Sequence, residues 1–550
     1  MLDSQPTRNS GLFPFLLTLV LCLAWLMPGL VGHEPWKGDK AITMGLVHSI
    51  LSGVPAAIPT LAGEAWASAT PPLYPAVAAI VASWLAPWLP AHDGARLAAG
   101  FFVLMTFIFA ALTGHQLYGH RHGRMVVMVL VGSVGLWFAG HESIPQSALL
   151  LGAAMTAYGA ALSPPRPFTG GAWAGTGLGI SFMATGMVDA GALALMLLLL
   201  PLAGPAWRST TTLRSALTSL VAAAPWLLLW PWQLHHMAPG LWQSWLSSQL
   251  HQFVFEGSPA GIIPSLYYIK FLPWFAWPAW PLAVWTVWQS LRKHTLLSPG
   301  TILPLIMLGS TILVLSLTRN PDPDRGLPLL LPLALLAAGG TATLRRGAAN
   351  ALYWFAIMTF GVLAITAWVY WSALDLGVPA HLARHLHSLQ PGYVGSFQLL
   401  PFLLAIFYCM LWVVLLLRMK RSPHRPLLAW AAGMTLAWGM AAFLFVSPMD
   451  QRLGYAGVAN SLQPYLPVRG CVASQRVEAG ARAMFDYYVG LQTLRELPDH
   501  PRTCHWLLTE DPDETTPESI PSGWQLIWQG ARMGNHVEQF SLYHRLQSAR

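Results

Sequence analysis

The chain is 550 residues long, with 55% hydrophobic residues, only 9% charged residues and a formal net charge of +8. Soluble domains carry about a quarter charged residues, so this composition excludes a water-soluble protein and indicates a polytopic membrane protein. The basic residues stand singly or in small groups between apolar runs, which is the distribution of topology signals and not of a nucleic-acid-binding surface.

The first apolar run, 12–32, lacks a small-residue cleavage site after it and is expected to be an anchor, not a signal peptide. At about 20 residues per crossing, further spans are expected at 96–114, 125–140, 147–162, 171–185, 188–207, 213–233, 271–289, 301–318, 327–342, 350–372, 398–417 and 427–447, thirteen in all. The run 72–91 carries Pro72, Pro75, Pro87 and Pro90 and fits an interfacial helix better than a regular span. The positive-inside rule agrees. With 72–91 not crossing and the N-terminus cytoplasmic, the inside loops hold Arg121, Arg124, Arg166, Arg208, Arg214, Arg292, Lys293, Arg345, Arg346 and the Arg418–Arg425 cluster.

This topology leaves three sizeable pieces on the outer, periplasmic side of a transmembrane region 1–447. Loop 33–95 has a helical apolar pattern at Ile42, Leu46, Val47, Ile50 and Leu51 that is expected to lie on the membrane. A second loop covers 234–270. The tail, 448–550, alternates strand-like runs (Gly470–Ser474, His505–Thr509, Trp524–Gln529, Gln539–His544) with a helical run around Val477–Glu496, as a small α/β domain would. Cys22 and Cys409 lie in apolar runs, where buried thiols are expected. Cys471 and Cys504 lie in the polar tail, and a periplasmic location suits a bridge between them. No internal repeat is evident.

The densest group of ionisable residues follows the first span: His33-Glu34-Pro35-Trp36-Lys37-Gly38-Asp39-Lys40. A carboxylate beside lysines at a membrane surface suits glycosyl transfer from a lipid phosphate. The carboxylate deprotonates or orients the acceptor hydroxyl and the cations neutralise the departing phosphate. A solvated interfacial loop with a tryptophan anchor is the alternative.

The order of this motif, an apolar helix, Pro59-Thr60-Leu61-Ala62-Gly63-Glu64 and Pro71-Pro72-Leu73-Tyr74-Pro75 resembles the GT-C glycosyltransferases that use polyprenyl-phosphate sugars. That group includes bacterial protein-mannosyltransferase-like enzymes and the aminoarabinose transferase that modifies lipid A. The resemblance continues through Arg96-Leu97, Gly179–Gly186, and Arg325 ahead of Leu327-Pro328 and Leu331-Pro332, and reaches the cysteine-containing tail. It implies an all-α membrane bundle, a catalytic aspartate in the first outer loop, a polyprenyl groove between helices, and inversion by single displacement. By position, Asp39 matches the first acid of the family's Asp-Glu pair and Glu34 an acid upstream of Pro-Trp-Lys. Arg325 matches a basic residue facing the lipid phosphate, Tyr267 and Tyr268 an aromatic pair, and Glu142 a second acid.

Three positions depart from the family pattern. Lys40 replaces the second acid of the pair. Ala69-Thr70-Pro71-Pro72 replaces Glu-Lys-Pro-Pro, and Phe182-Met183-Ala184-Thr185-Gly186 replaces Phe-Leu-Ala-Lys-Gly. Two lysines are thereby lost, and Lys37 and Lys40 stand as candidates to supply the charge. The expected function is transfer of a sugar from a polyprenyl-phosphate donor to a lipid, glycan or protein acceptor. A non-catalytic paralogue that binds lipid or a partner enzyme, and a transporter or flippase, remain as alternatives.

Asp322-Pro323-Asp324 imitates an Asp-x-Asp motif but reads as a turn, because proline flanks it. The histidines at 235–236 and at 381, 385 and 387 lack partnering cysteines or acids, so no metal site or cofactor is expected, with a divalent ion left open. Neither a nucleotide-phosphate loop nor a Gly-x-Ser-x-Gly elbow is present.

Overall fold

The computed structural model describes residues 12–66, 70–252, 266–319, 321–390, 392–422, 424–467, 470–495, 504–511, 523–532 and 538–546. Parts of the second outer loop (253–265), and Ala69 of the altered Pro-Pro motif, lie outside the described residues.

Each expected apolar segment is helical. Among the described residues, six helices are long and apolar enough to cross a membrane: Ala91–Tyr118, Thr210–Met237, Pro299–Ser316, Arg346–Asp375, Leu399–Arg418 and Arg425–Leu444. Others are shorter, among them Leu12–Leu26, Gln146–Leu162 and Met187–Ala203. Glycine lets three helices approach closely, as small residues do in membrane bundles. A Cβ on Gly159 would lie 2.3 Å from the Ala174 nitrogen, and one on Gly175 would lie 2.1 Å from the Ser219 carbonyl oxygen. These contacts bind Gln146–Leu162, Pro167–Thr185 and Thr210–Met237 into one slab.

Two expected spans are broken. The segment 125–140 forms His122–Val131 and Val134–Ala139, interrupted at Gly132-Ser133. The segment 271–289 forms Tyr267–Phe275 and Ala279–Arg292. Pro278 causes the second break, since it has no N–H to donate and disfavours helical backbone at the residue before it.

The first loop differs from expectation in what covers it. Helix Asp39–Leu51 buries Ala41, Met44, Leu46 and Val47, but its apolar face packs on protein. A Cβ on Gly45 would lie 2.5 Å from Ala483 Cβ in the tail helix Ala479–Val489. Helix Leu73–Leu85 and one end of Ala91–Tyr118 complete the same core. The hairpin β1 (Thr60–Leu61) and β2 (Glu64–Ala65) follows the loop helix.

Two short helices, Val446–Leu453 and Ala456–Leu462, lead from the last long helix into the tail. The tail sheet comprises β3 (Val472–Gln475), β4 (Thr493–Arg495), β5 (Trp506–Asp511), β6 (Trp524–Arg532) and β7 (Glu538–Arg545), in the order β4-β3-β5-β7-β6. Strand β3 runs parallel to β4 and β5, and β7 runs antiparallel to β5 and β6. The helical run expected to reach Glu496 stops at Val489. Gly490 adopts φ 67°, and its N–H closes the helix on Asp486 O, so the chain turns into the edge strand β4. Cys471 and Cys504 are disulfide-bonded, with Cα atoms 5.3 Å apart, a separation typical of such bridges.

Candidate active site

The ends of several helices converge on the segment His33–Lys40, and buried polar contacts fix it from two sides. On one side is a buried pair on helix Ala91–Tyr118, Arg96 and Asp93, 2.9 Å apart. Arg96 donates to His33 O (2.9 Å) and Asp93 accepts the Gly32 N–H (3.0 Å), so this pair shapes the chain as it leaves the first helix. On the other side, Asp450 Oδ1 accepts the Trp36 indole N–H (2.8 Å) and the Glu34 N–H (3.2 Å). Lys37 N–H donates to Leu453 O at 3.1 Å. Burial pushes the Asp450 carboxyl up to about 7, against the pull of the Trp36 hydrogen bond. Neither Asp93 nor Asp450 stood out in the sequence, since each is an isolated acid far along the chain from the motif.

Gly38, at φ 81°, makes the turn into the following helix, a backbone angle that side-chain-bearing residues rarely adopt. Asp39 is the first helical residue after it. Its carboxylate therefore lies at the positive end of the helix dipole while staying open to solvent. Partial burial holds its carboxyl above the usual carboxylate range. The Asp322 charge raises it further, and the Arg325 guanidinium opposes both.

Asp322 and Arg325 arrive on the turn 321–325, and that turn is the neighbour sequence reasoning missed. Asp322-Pro323-Asp324 is a turn, as expected, with the Asp324 N–H on Asp322 Oδ1 (3.0 Å). It also brings two carboxylates and a guanidinium to the wall facing Asp39. Burial, Asp322 and Asp39 push Asp324 up to about 6, while Lys40 pulls it down. Tyr268, fully buried, clamps the turn: its hydroxyl donates to Asp322 O (3.3 Å) and accepts the Asp322 N–H (3.2 Å). Tyr267 packs beside it, ring centroids 5.2 Å apart. Arg325 donates to the Gln252 side chain at 3.0 Å.

The remaining candidate residues have partners of their own. Lys40 Nζ lies 3.1 Å from the carboxylate of Glu142, whose side chain is 3% exposed, and 5.2 Å from the Trp36 ring centroid. Lys37 is half exposed and pairs with Glu538 of β7 at 3.4 Å. Glu34 accepts the Ala456 N–H at 3.1 Å and caps the helix that starts there. Burial raises its carboxyl, against the pull of that hydrogen bond. The structure thus groups Asp39, Arg325, Lys40, Glu142 and the Tyr268-clamped turn, and gives Glu34 and Lys37 to the tail. Among the described residues, no group of three or more His, Cys, Asp or Glu side chains is placed to hold a metal ion.

The arrangement places a solvent-open carboxylate within reach of a guanidinium's charge, at one end of a helical bundle. The fold is shared with solved structures, in line with the resemblance in the sequence. ArnT from Cupriavidus metallidurans bound to undecaprenyl phosphate superposes with a TM-score of 0.70 at 13% identity, covering 98% of this chain and 99% of that one. The same protein in the apo state gives a TM-score of 0.67 at 13% identity, covering 97% and 98%. No protein-family model matches the sequence, and no curated protein does.

Proposed function

We propose that this protein is a membrane glycosyltransferase that moves a sugar from a polyprenyl-phosphate donor to a lipid, glycan or protein acceptor on the periplasmic face. The observation that carries this reading is Asp39: an accessible carboxylate of raised pKa that lies close enough to Arg325 to feel the guanidinium charge. The shared fold supports it, because the matched ArnT structure is described with undecaprenyl phosphate bound.

In this reading the acceptor hydroxyl gives its proton to Asp39, and its oxygen attacks the anomeric carbon. The bond from that carbon to the phosphate oxygen breaks with inversion, and the electron pair leaves on the polyprenyl phosphate. Arg325 offsets that charge. Lys40 acts at one remove, since its ammonium rests on Glu142, and Lys37 lies at the rim beside the tail. The thirteen-span topology with a periplasmic tail belongs to the same proposal. An alkaline phosphatase fusion after Ser447 will be active if it holds.

The test of function is Asp39→Asn, which keeps shape and removes the base. Loss of transfer by about 10²–10⁴-fold is expected, seen as a missing glycoform in mass spectra of envelope lipids and glycans. An unchanged envelope with folded, inserted protein would replace this reading with that of a non-catalytic paralogue.

A further inference from the structure

At the end of the bundle opposite Asp39, a recess of about 290 Å³ opens between helix Ala279–Arg292 and the turn that follows helix Leu330–Gly340. Its position follows from the chain path. Both segments start at the site end, where Tyr268 clamps Asp322, and both run away from it side by side, tied by the Thr286 hydroxyl donating to Leu336 O at 2.8 Å.

Three cations line the recess, Arg292, Lys293 and Arg345, and no carboxylate does. Among the described residues none of the three has an ion-pair partner (the described pairs all lie elsewhere). This is unusual company in a chain with 9% charged residues. Like charges held together without a counter-charge repel one another, which an anionic ligand would relieve.

The recess is also built. The Arg292 guanidinium lies 3.9 Å from the ring centroid of Trp288, which holds the cation in place. Trp285 packs on Trp288 at 4.9 Å, and its indole N–H donates to Thr343 Oγ1 at 3.2 Å, joining the two segments across the recess. Next to the cations on the same helix, Val284 and Leu291 are 60% and 53% exposed, an apolar strip of the kind acyl chains cover. Phosphate-binding cations, an indole pair and a flanking apolar strip, all at a helix end, are the requirements of a phospholipid head at the membrane interface.

We infer that this recess binds the phosphodiester headgroup of an anionic phospholipid, at a site separate from the one around Asp39. Generic attraction of positive loops to a membrane does not need the recess. The loop carrying Arg418 and Arg421 is equally basic and exposed, and no aromatic contact holds those side chains among the described residues.

The test is native mass spectrometry of the full-length protein, delipidated and titrated with phosphatidylglycerol or phosphatidylcholine. Wild type should retain phosphatidylglycerol in preference to phosphatidylcholine. The double variant Arg292→Gln/Arg345→Gln should weaken that retention about thirty-fold, taking each cation at its usual surface contribution. Arg418→Gln/Arg421→Gln should leave it within about two-fold of wild type. Single Arg345→Gln, on the exposed rim, gives a milder version should the double variant melt early. Equal retention of the two lipids, equal loss in both double variants, or displacement of the lipid by millimolar inorganic phosphate would each overturn the proposal.

Discussion

The ammonium of Lys40 lies 3.1 Å from the carboxylate of Glu142, and the side chain of Glu142 is 3% exposed. The motif that the sequence resembles has an acid at the position of Lys40, and two acids here would repel each other in a water-poor pocket. The lysine therefore answers a buried charge and is not a spare cation awaiting a phosphate. Lys40→Met should destabilise the protein by about 2–3 kcal/mol, below the cost of breaking a fully buried pair because part of Lys40 remains in water. Lys40→Met/Glu142→Leu should recover most of that loss, read as the melting temperature in detergent. A double variant that regains stability yet loses turnover 10²-fold or more would return Lys40 to the donor phosphate.

Asp39 feels two opposing neighbours, and the pH profile of transfer should report both. Asp322 raises its carboxyl and Arg325 lowers it. A base works when deprotonated, so activity rises with pH through the Asp39 pKa. Asp322→Asn removes the raising charge and should move the acid limb to lower pH. Arg325→Gln removes the lowering charge and should move the limb to higher pH, with a loss of kcat as well if the guanidinium meets the leaving phosphate. Shifts in the same direction would show that the base is another group.

Much of this was legible in the sequence, and what was not has a common cause. The apolar runs became helices because about 20 apolar residues leave the backbone few other choices in lipid. Gly490 and Pro278 then moved boundaries in ways single residues can. The pairings were hidden because they are long-range. Lys40 meets an acid 102 positions on, and Asp39 faces a turn nearly 290 positions away. Asp322-Pro323-Asp324 has a local explanation as a turn, and that explanation holds. It does not reveal what the turn faces. The apolar face of helix Asp39–Leu51 looked membrane-bound because the tail that covers it lies more than 400 residues downstream.

Cys471 and Cys504 bridge a sequence separation of 33 residues. Closing a loop of that length should contribute about 3–4 kcal/mol in the chain-entropy model. Alkylation of the denatured protein without reductant should label two thiols, Cys22 and Cys409, and four after reduction. Cys471→Ser should lower the stability of the tail by that amount. Four labelled thiols without reductant would mean that the tail resides in a reducing compartment, which would also reverse the proposed topology.

The tail is fastened to the first loop by buried charge. Arg482, 1% exposed, donates to Glu64 at 2.9 Å and to the Thr493 hydroxyl at 2.8 Å. Burial alone would raise the Glu64 carboxyl, but Arg482 and Arg495 hold it below its usual value. A depressed carboxylate contributes stability that is present above its unfolded-state pKa and fades as pH falls through the lower, folded-state one. Acidification should therefore loosen the tail, and Glu64→Gln should remove that part of the pH dependence. Arg482→Met leaves Glu64 without its buried partner and should destabilise by about 3 kcal/mol.

Glu34 then separates capping from catalysis. Its carboxylate accepts the Ala456 N–H at 3.1 Å, and its own N–H is held by Asp450 at 3.2 Å. Two contacts to the tail leave it as a brace between the loop and helix Ala456–Leu462. Glu34→Gln keeps an oxygen for the cap, so turnover should stay within about five-fold of wild type, far short of the 10²–10⁴-fold expected for a lost base. Glu34→Ala removes the cap and should cost about 1–2 kcal/mol of stability. Any fall in activity in that variant should track the fall in melting temperature and should be reversed by lowering the assay temperature. A Glu34→Gln enzyme with wild-type melting temperature and turnover down 10²-fold or more would instead place Glu34 beside Asp39 in the chemistry, with the observed cap a resting arrangement that substrate must undo.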